Sequence, residues 1–194
     1  YRKQFIDELR FNAEHEGTEP ETQFIEKYLS DLEEIGELND PIPMSVEMRG
    51  SRNRLLAFDA YAYDEADGAL ILIASDFTNE RDSTPTLTNS RIEDIYTHML
   101  NFLDECVQGN ISKYCDDSDP ALIIANEFRK KIGKGLLSTE ILRFKFFILS
   151  NATLSKQVKN LSKPEFLGSP VELNVWTLER FYQTFASNSS EIIE

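Results

Sequence analysis

Apolar positions recur with two different periods along this chain, and the change of period marks where helices give way to strands. Between Arg2 and about Ala13 the apolar residues Phe5, Ile6, Leu9 and Ala13 fall at helical spacing. Thr18-Glu19-Pro20-Glu21 has capping-box form, with a glutamate three residues after the threonine. The helix it opens gathers Phe24, Ile25, Tyr28, Leu29, Leu32 and Ile35 on one side and stops at Gly36. Asn39 to Pro43 reads as a turn, and Met44 to Met48 as a short edge strand.

The period then shortens to two. Leu55 to Phe77, LLAFDAYAYDEADGALILIASDF, reads as two strands joined by a short acidic turn. In the first strand Leu56, Phe58, Ala60 and Ala62 share a face opposite Leu55, Ala57, Asp59, Tyr61 and Tyr63. In the second, Ala69 to Ala74 is continuously apolar, as in a strand buried on both faces, so helices are expected on each side of the sheet. Loop length decides the register. With Glu65-Ala66-Asp67-Gly68 as the loop, Asp64 lies opposite Ala69 and Asp59 opposite Ala74. Asp76 is then a diagonal neighbour of Asp59 on the same face, about 7–8 Å away. A loop one residue longer puts the two aspartates on opposite faces.

Thr78 to Thr88 is polar and reads as a loop. Ser90-Arg91-Ile92-Glu93 is a second capping box, opening a helix that carries Ile92, Ile95, Tyr96, Met99, Leu100, Leu103 and Val107 and ends at Gly109. Asp119-Pro120 starts another helix, which runs to Lys131 and is ended by Ile132-Gly133-Lys134-Gly135. Arg143 to Leu149 is a strand, Ser150-Asn151 leads into a short helix, and Pro164 and Pro170 bracket a loop. Val171 to Trp176 is the last strand, and Thr177 caps a final helix carrying Leu178, Phe181, Tyr182 and Phe185. The order predicts a single α/β domain over residues 1–187, with a central mixed β-sheet flanked by helices on both faces, and a polar tail over 188–194.

Composition narrows the function. The chain has 194 residues and a net charge of -14, with 34 acidic against 20 basic residues, which argues against broad, nonspecific nucleic-acid binding by its overall field. A local basic patch or a neighbouring basic domain remains compatible with that balance. Cys106 and Cys115 are the only cysteines, too few for a disulfide framework or a cysteine-rich zinc site, and they predict reduced thiols. His15 and His98 have no partner at ligand spacing. There is no P-loop, GxGxxG, GxSxG elbow or HExxH helix. With no membrane-length apolar run and no apolar signal region, a cytoplasmic protein is expected. A start at Tyr1 and an end in SNSSEIIE suggest a piece of a longer protein.

Candidate chemistry centres on Asp59 and Asp76, each a carboxylate on an apolar strand. Such a group is costly unless it is paired, protonated or bound to metal. Hydrolysis of a phosphodiester by magnesium uses one or two carboxylates, with water and phosphate filling the octahedron. The pair therefore predicts a Mg or Mn site with Asp59 and Asp76 as metal ligands. Glu26 on the second helix, with Glu33 behind it, is the candidate third carboxylate. A structural reading competes: Asp59 bonds backbone groups near a sheet end, and Asp76 begins a loop.

Four stretches, FDAYAYDE, LILIASDF, RFKFFILSN and VELNVWTLERFYQ, occur in order over roughly Phe24 to Phe185. Together they resemble the N-terminal region of the AIPR family, bacterial abortive-infection phage-resistance proteins. Ala60 stands where that family has the glycine of its "DGY", and Thr177 where it has the aspartate of "WD". The resemblance implies a restriction-endonuclease-like domain similar to the PD-(D/E)XK nucleases. Asp59 then takes the first acidic position, Asp76 the second, and Glu26 in FIEKYL resembles the helix glutamate. It also implies a lysine two residues after the second acid, where this chain has Thr78. Lys145 is the candidate replacement, projecting from a neighbouring strand. The implied function is a Mg- or Mn-dependent anti-phage nuclease, and the alternative is a degenerate, non-catalytic domain for nucleic-acid or protein interaction. The partners implied are nucleic acid, other domains of the same protein and a second copy in a homo-oligomer, with no membrane.

Overall fold

The computed structural model describes residues 1–133, 140–158, 161 and 163–190, without the side chains of 186–190. Two helices open the chain, α1 (Arg2–Glu16) and α2 (Pro20–Glu34). Three strands follow, β1 (Ile42–Arg49), β2 (Leu55–Asp64) and β3 (Ala69–Asp76), and then the short β4 (Thr86–Leu87). Helices α3 (Asn89–Gln108) and α4 (Pro120–Ile132) lead to β5 (Arg143–Ser150) and the short β6 (Thr153–Leu154), β7 (Glu165–Phe166) and β8 (Ser169–Pro170). Strand β9 (Glu172–Thr177) and helix α5 (Leu178–Ser190) close the chain.

The main sheet has five strands in the order β1-β2-β3-β5-β9. β1, β2 and β3 form an antiparallel meander, and β5 and β9 add in parallel. The apolar run of β3 makes it the central strand, buried on both faces from Ala69 to Ala74. One helical layer, α3 and α4, packs Met99, Phe102, Leu103 and Phe128 against Phe58, Leu72 and Phe146. The other, α1, α2 and α5, packs Phe5, Phe24, Tyr28 and Phe181 against Ile73, Leu149 and Trp176. The expected mixed α/β sheet with helices on both faces is thus present. No helix of the described residues is long and apolar enough to cross a membrane.

The β2–β3 hairpin has the shorter of the two loops. Asp64 pairs with Ala69, and Gly68 closes the turn at φ 61°, a conformation that costs glycine little. Face alternation along β2 is not continuous, however. Leu56 and Phe58 pack in the α3/α4 layer, whereas Ala60 and Ala62 pack in the other. The reset falls at Asp59, where Met44 and Ser45 of β1 face one residue of β2 between the pairs Pro43–Ala60 and Val46–Phe58. An extra residue in one strand of a pair breaks the two-residue period locally.

Several local expectations shift for identifiable reasons. Thr18 does not cap α2, since Glu19 is the N-cap and the Thr18 hydroxyl instead accepts from Gln23. Thr88, not Ser90, caps α3, its hydroxyl accepting the Arg91 N–H at 3.3 Å. Asp119 and Thr177 cap α4 and α5 as expected. The stretch after Ser150-Asn151 forms β6 rather than a short helix, pairing in parallel with β4 inside the expected 78–88 loop. Pro164 and Pro170 bracket a small hairpin of β7 and β8. α5 continues to Ser190, three residues into the expected polar tail. Lys134-Gly135 and the last part of that tail, 191–194, lie outside the described residues.

Candidate functional site

Strands β2 and β3 part company partway along the sheet. Their ladder runs from Asp64–Ala69 to Ala60–Ile73. Beyond that point Leu55 to Phe58 pair with β1, while Ala74 to Asp76 pair with β5. A fork opens between the two halves, and Asp59 stands at its root. Its Oδ2 accepts the backbone N–H of Ser75 at 2.6 Å, replacing the ladder bond that the parting strands no longer make.

Burial pushes the Asp59 carboxyl above the usual carboxylate range; the Ser75 hydrogen bonds oppose the shift and the nearby charge of Glu47 adds to it. An aspartate whose folded pKa is raised stabilises the fold below the ordinary carboxylate pKa, and that contribution is lost as pH rises through the raised value. At neutral pH the ionised side chain therefore costs stability. Asp59→Asn keeps an oxygen for the Ser75 N–H and is expected to gain about 1 kcal/mol at pH 7, or ~2–4 °C in melting temperature. The gain should vanish below the ordinary carboxylate range, and thermal melts at pH 7 and under acid conditions check both parts.

Asp76, two residues further along, is also engaged. Its Oδ1 accepts from Arg91 Nε at 2.8 Å and its Oδ2 from the Ser150 hydroxyl at 3.0 Å. Thr78, where the motif would carry lysine, is pinned by Asn151. The Asn151 side chain accepts the Thr78 N–H at 3.0 Å and donates to the Thr78 carbonyl at 2.8 Å. Asn151 is buried, and its two bonds fasten the end of β3 beside that of β5.

A cleft of about 220 Å³ opens at the fork, lined among others by Glu21, Glu47, Asp59, Ser75, Arg91 and His98. Glu21 comes from the first turn of α2 and accepts from the Ser75 hydroxyl at 3.1 Å. His98 lies two helical turns after Arg91 on α3. Burial lowers its pKa; Asp94 opposes this, Arg91 and Arg49 lower it further, and Glu47 opposes again.

Of the four residues expected in the site, Asp59 lines the cleft, and Asp76 follows the lining residue Ser75 in sequence and is bonded to the lining residue Arg91. Asp59 and Asp76 flank the same fork. Glu26 is exposed and lies away from the cleft, and Glu21 on the same helix lines it instead. Lys145 pairs with Ile71, five residues before Asp76 on β3, which places it about 16 Å towards the other end of the sheet. There it bonds Asp64 at 3.2 Å and Asp67 at 2.9 Å. Arg91 was not anticipated, although a cation in a helix's first turn opposes the helix dipole and is a signal visible in sequence.

The oxygen donors here are those a Mg or Mn ion takes, but their arrangement does not suit one. Both Asp76 oxygens and one Asp59 oxygen already accept from protein donors. Among the described residues no three His, Cys, Asp or Glu side chains are grouped to hold an ion.

Residues 24–183, most of the chain, match a family model described as the abortive infection phage resistance protein N-terminal domain. No curated protein and no solved structure matches the chain.

Proposed function

The chain belongs to the abortive infection phage resistance family through this N-terminal domain, and from that premise we propose that it engages nucleic acid on a restriction-endonuclease-like, PD-(D/E)XK scaffold in the cytoplasm. The observation that carries this reading is the fork: an antiparallel meander opens beside a parallel strand, and two aspartates flank the opening. The state of those acids favours engagement over hydrolysis. Asp76 is neutralised by Arg91, Thr78 stands in for the lysine, and Lys145 is held by two aspartates at the far end.

Hydrolysis dependent on Mg or Mn is the second reading, and one observation favours it. The Arg91 side chain is 50% exposed, so a rotamer change would free the Asp76 oxygen that it holds. The test is incubation of the protein with plasmid DNA and with RNA in manganese, alongside a gel-shift assay of the same nucleic acids. The expected result is a shift without cleavage. Cleavage that disappears in both Asp59→Ala and Asp76→Ala would replace the first reading with the second. Neither shift nor cleavage would remove both.

A further inference from the structure

Resting on the fork as a nucleic-acid site, we propose that the Arg91 guanidinium takes the place of a divalent cation there and gives the cleft a metal-free site for the phosphate group of a phosphodiester. Arg91 sits in the first turn of α3, where the helix dipole already supplies positive potential. A cation is disfavoured at that position, so its placement needs a compensating anion. Asp76 is that anion, at 2.8 Å from Nε, and Ser150 holds the other carboxylate oxygen so that the pair keeps one orientation.

A guanidinium carries five donors in a planar fork, and only Nε is engaged by a described residue. The two terminal nitrogens remain for a ligand. The side chain is half exposed and lines the cleft, with Ser75, His98 and the acids Glu21, Glu47 and Asp59 also on its walls. Two parallel N–H donors match two oxygens of a phosphate, a geometry that lysine does not offer. Asp76 is paired with Arg91, but Asp59, Glu21 and Glu47 also stand around the cleft, so the arginine and the helix dipole have to outweigh their charge for an anion to enter. A metal ion at Asp76 would meet the positive charge of this arginine at close range, so the two compete for one carboxylate, and Arg91 is the one in place.

The experiment measures two ligands on the intact protein and on Arg91→Ala, Arg91→Lys and Arg91→Ala/Asp76→Asn, with melting temperatures confirming that each is folded. Fluorescein-labelled single-stranded DNA, duplex DNA and RNA are titrated in EDTA and followed by anisotropy. Manganese alone is titrated and followed by electron paramagnetic resonance. Wild type is expected to bind at least one oligonucleotide in EDTA and to take up no manganese at the fork. Arg91→Ala should bind the oligonucleotide roughly tenfold more weakly or worse, with Arg91→Lys between, and should gain manganese uptake that the added Asp76→Asn abolishes. Wild-type manganese uptake abolished by Asp76→Asn would overturn the proposal, as would unchanged oligonucleotide affinity in Arg91→Ala. If wild type binds no oligonucleotide in any arm, the nucleic-acid reading of the fork falls, and the manganese arm still decides whether Arg91 stands in for a metal.

Discussion

Truncation of Glu105 to alanine is expected to cost about 3–5 kcal/mol, the usual penalty for breaking a buried ion pair from one side. Glu105 lies in the last turn of α3 with its side chain sealed from solvent. It accepts from the Ser51 amide at 3.0 Å, Arg54 at 3.0 Å, Asn110 at 2.8 Å and the Tyr114 hydroxyl at 3.2 Å. Those bonds clamp the turn between β1 and β2 onto α3, and so hold the edge of the fork. Gly50 allows the approach, because a Cβ there would stand 2.9 Å from Leu56 Cδ1 and 3.2 Å from the Glu105 oxygen. Desolvation acts to raise the Glu105 pKa, but the hydrogen bonds from Asn110, Ser51 and Arg54 outweigh it and bring the carboxyl down to about 2. A depressed folded pKa gives stability that is present above the ordinary glutamate value of 4.5 and is lost as pH falls towards 2. Glu105→Gln should therefore be destabilised at pH 7 and should lack the part of the acid-induced loss that wild type shows between those values. Urea denaturation at pH 7 and across the acid window measures both, and equal stability with an unchanged acid profile would refute the clamp.

The pattern of apolar residues revealed the layers because burial imposes it directly. α2 and α3 bury most of the residues that their helical spacing placed on one side, with Ile25, Ile35, Leu100 and Val107 only partly covered, and the uninterrupted run in β3 required cover on both faces. The hairpin register was legible only as one of two loop lengths, and the structure takes the four-residue loop ending in a left-handed glycine, with Asp64 opposite Ala69. What escaped were relations between elements. The extra β1 residue at Met44-Ser45 resets the faces of β2, and nothing in either strand alone announces it. Glu21 and Glu26 stand on one helix, roughly 140° apart around its axis by the 100° step per residue. Which of them meets the sheet depends on how α2 rolls against β3, and Phe24 and Tyr28 settle that by facing inward. The two aspartates were recognisable as carboxylates on apolar strands. Their partners were not, because Arg91 and Ser150 arrive from other elements, 15 and 74 residues further along the chain than Asp76.

Trp176→Ala is expected to cost about 3–5 kcal/mol, as for other large aromatic side chains removed from a core. Trp176 is 1% exposed on β9, opposite Leu149. Phe181 of α5 packs with its ring centroid 4.9 Å away, and the Arg180 guanidinium lies 3.8 Å above the indole. The substitution would remove the floor on which α5 rests and the partner of that cation, so α5 should become a site of protease cleavage at temperatures where the sheet is still folded. Trp176→Phe should cost less than about 2 kcal/mol, because it keeps a ring in the core. It also deletes the indole N–H, which is buried without a hydrogen-bond partner among the described residues. Denaturant titrations of the two variants, read with limited proteolysis, check the order. Trp176 faces the α1, α2 and α5 layer, whereas Arg91 comes from α3 on the other. Folded Trp176→Ala should therefore bind an oligonucleotide as wild type does, while Arg91→Ala should melt like wild type and lose binding. Loss of binding by both, at temperatures where both are folded, would mean that the fork depends on the whole sheet and not on its one arginine.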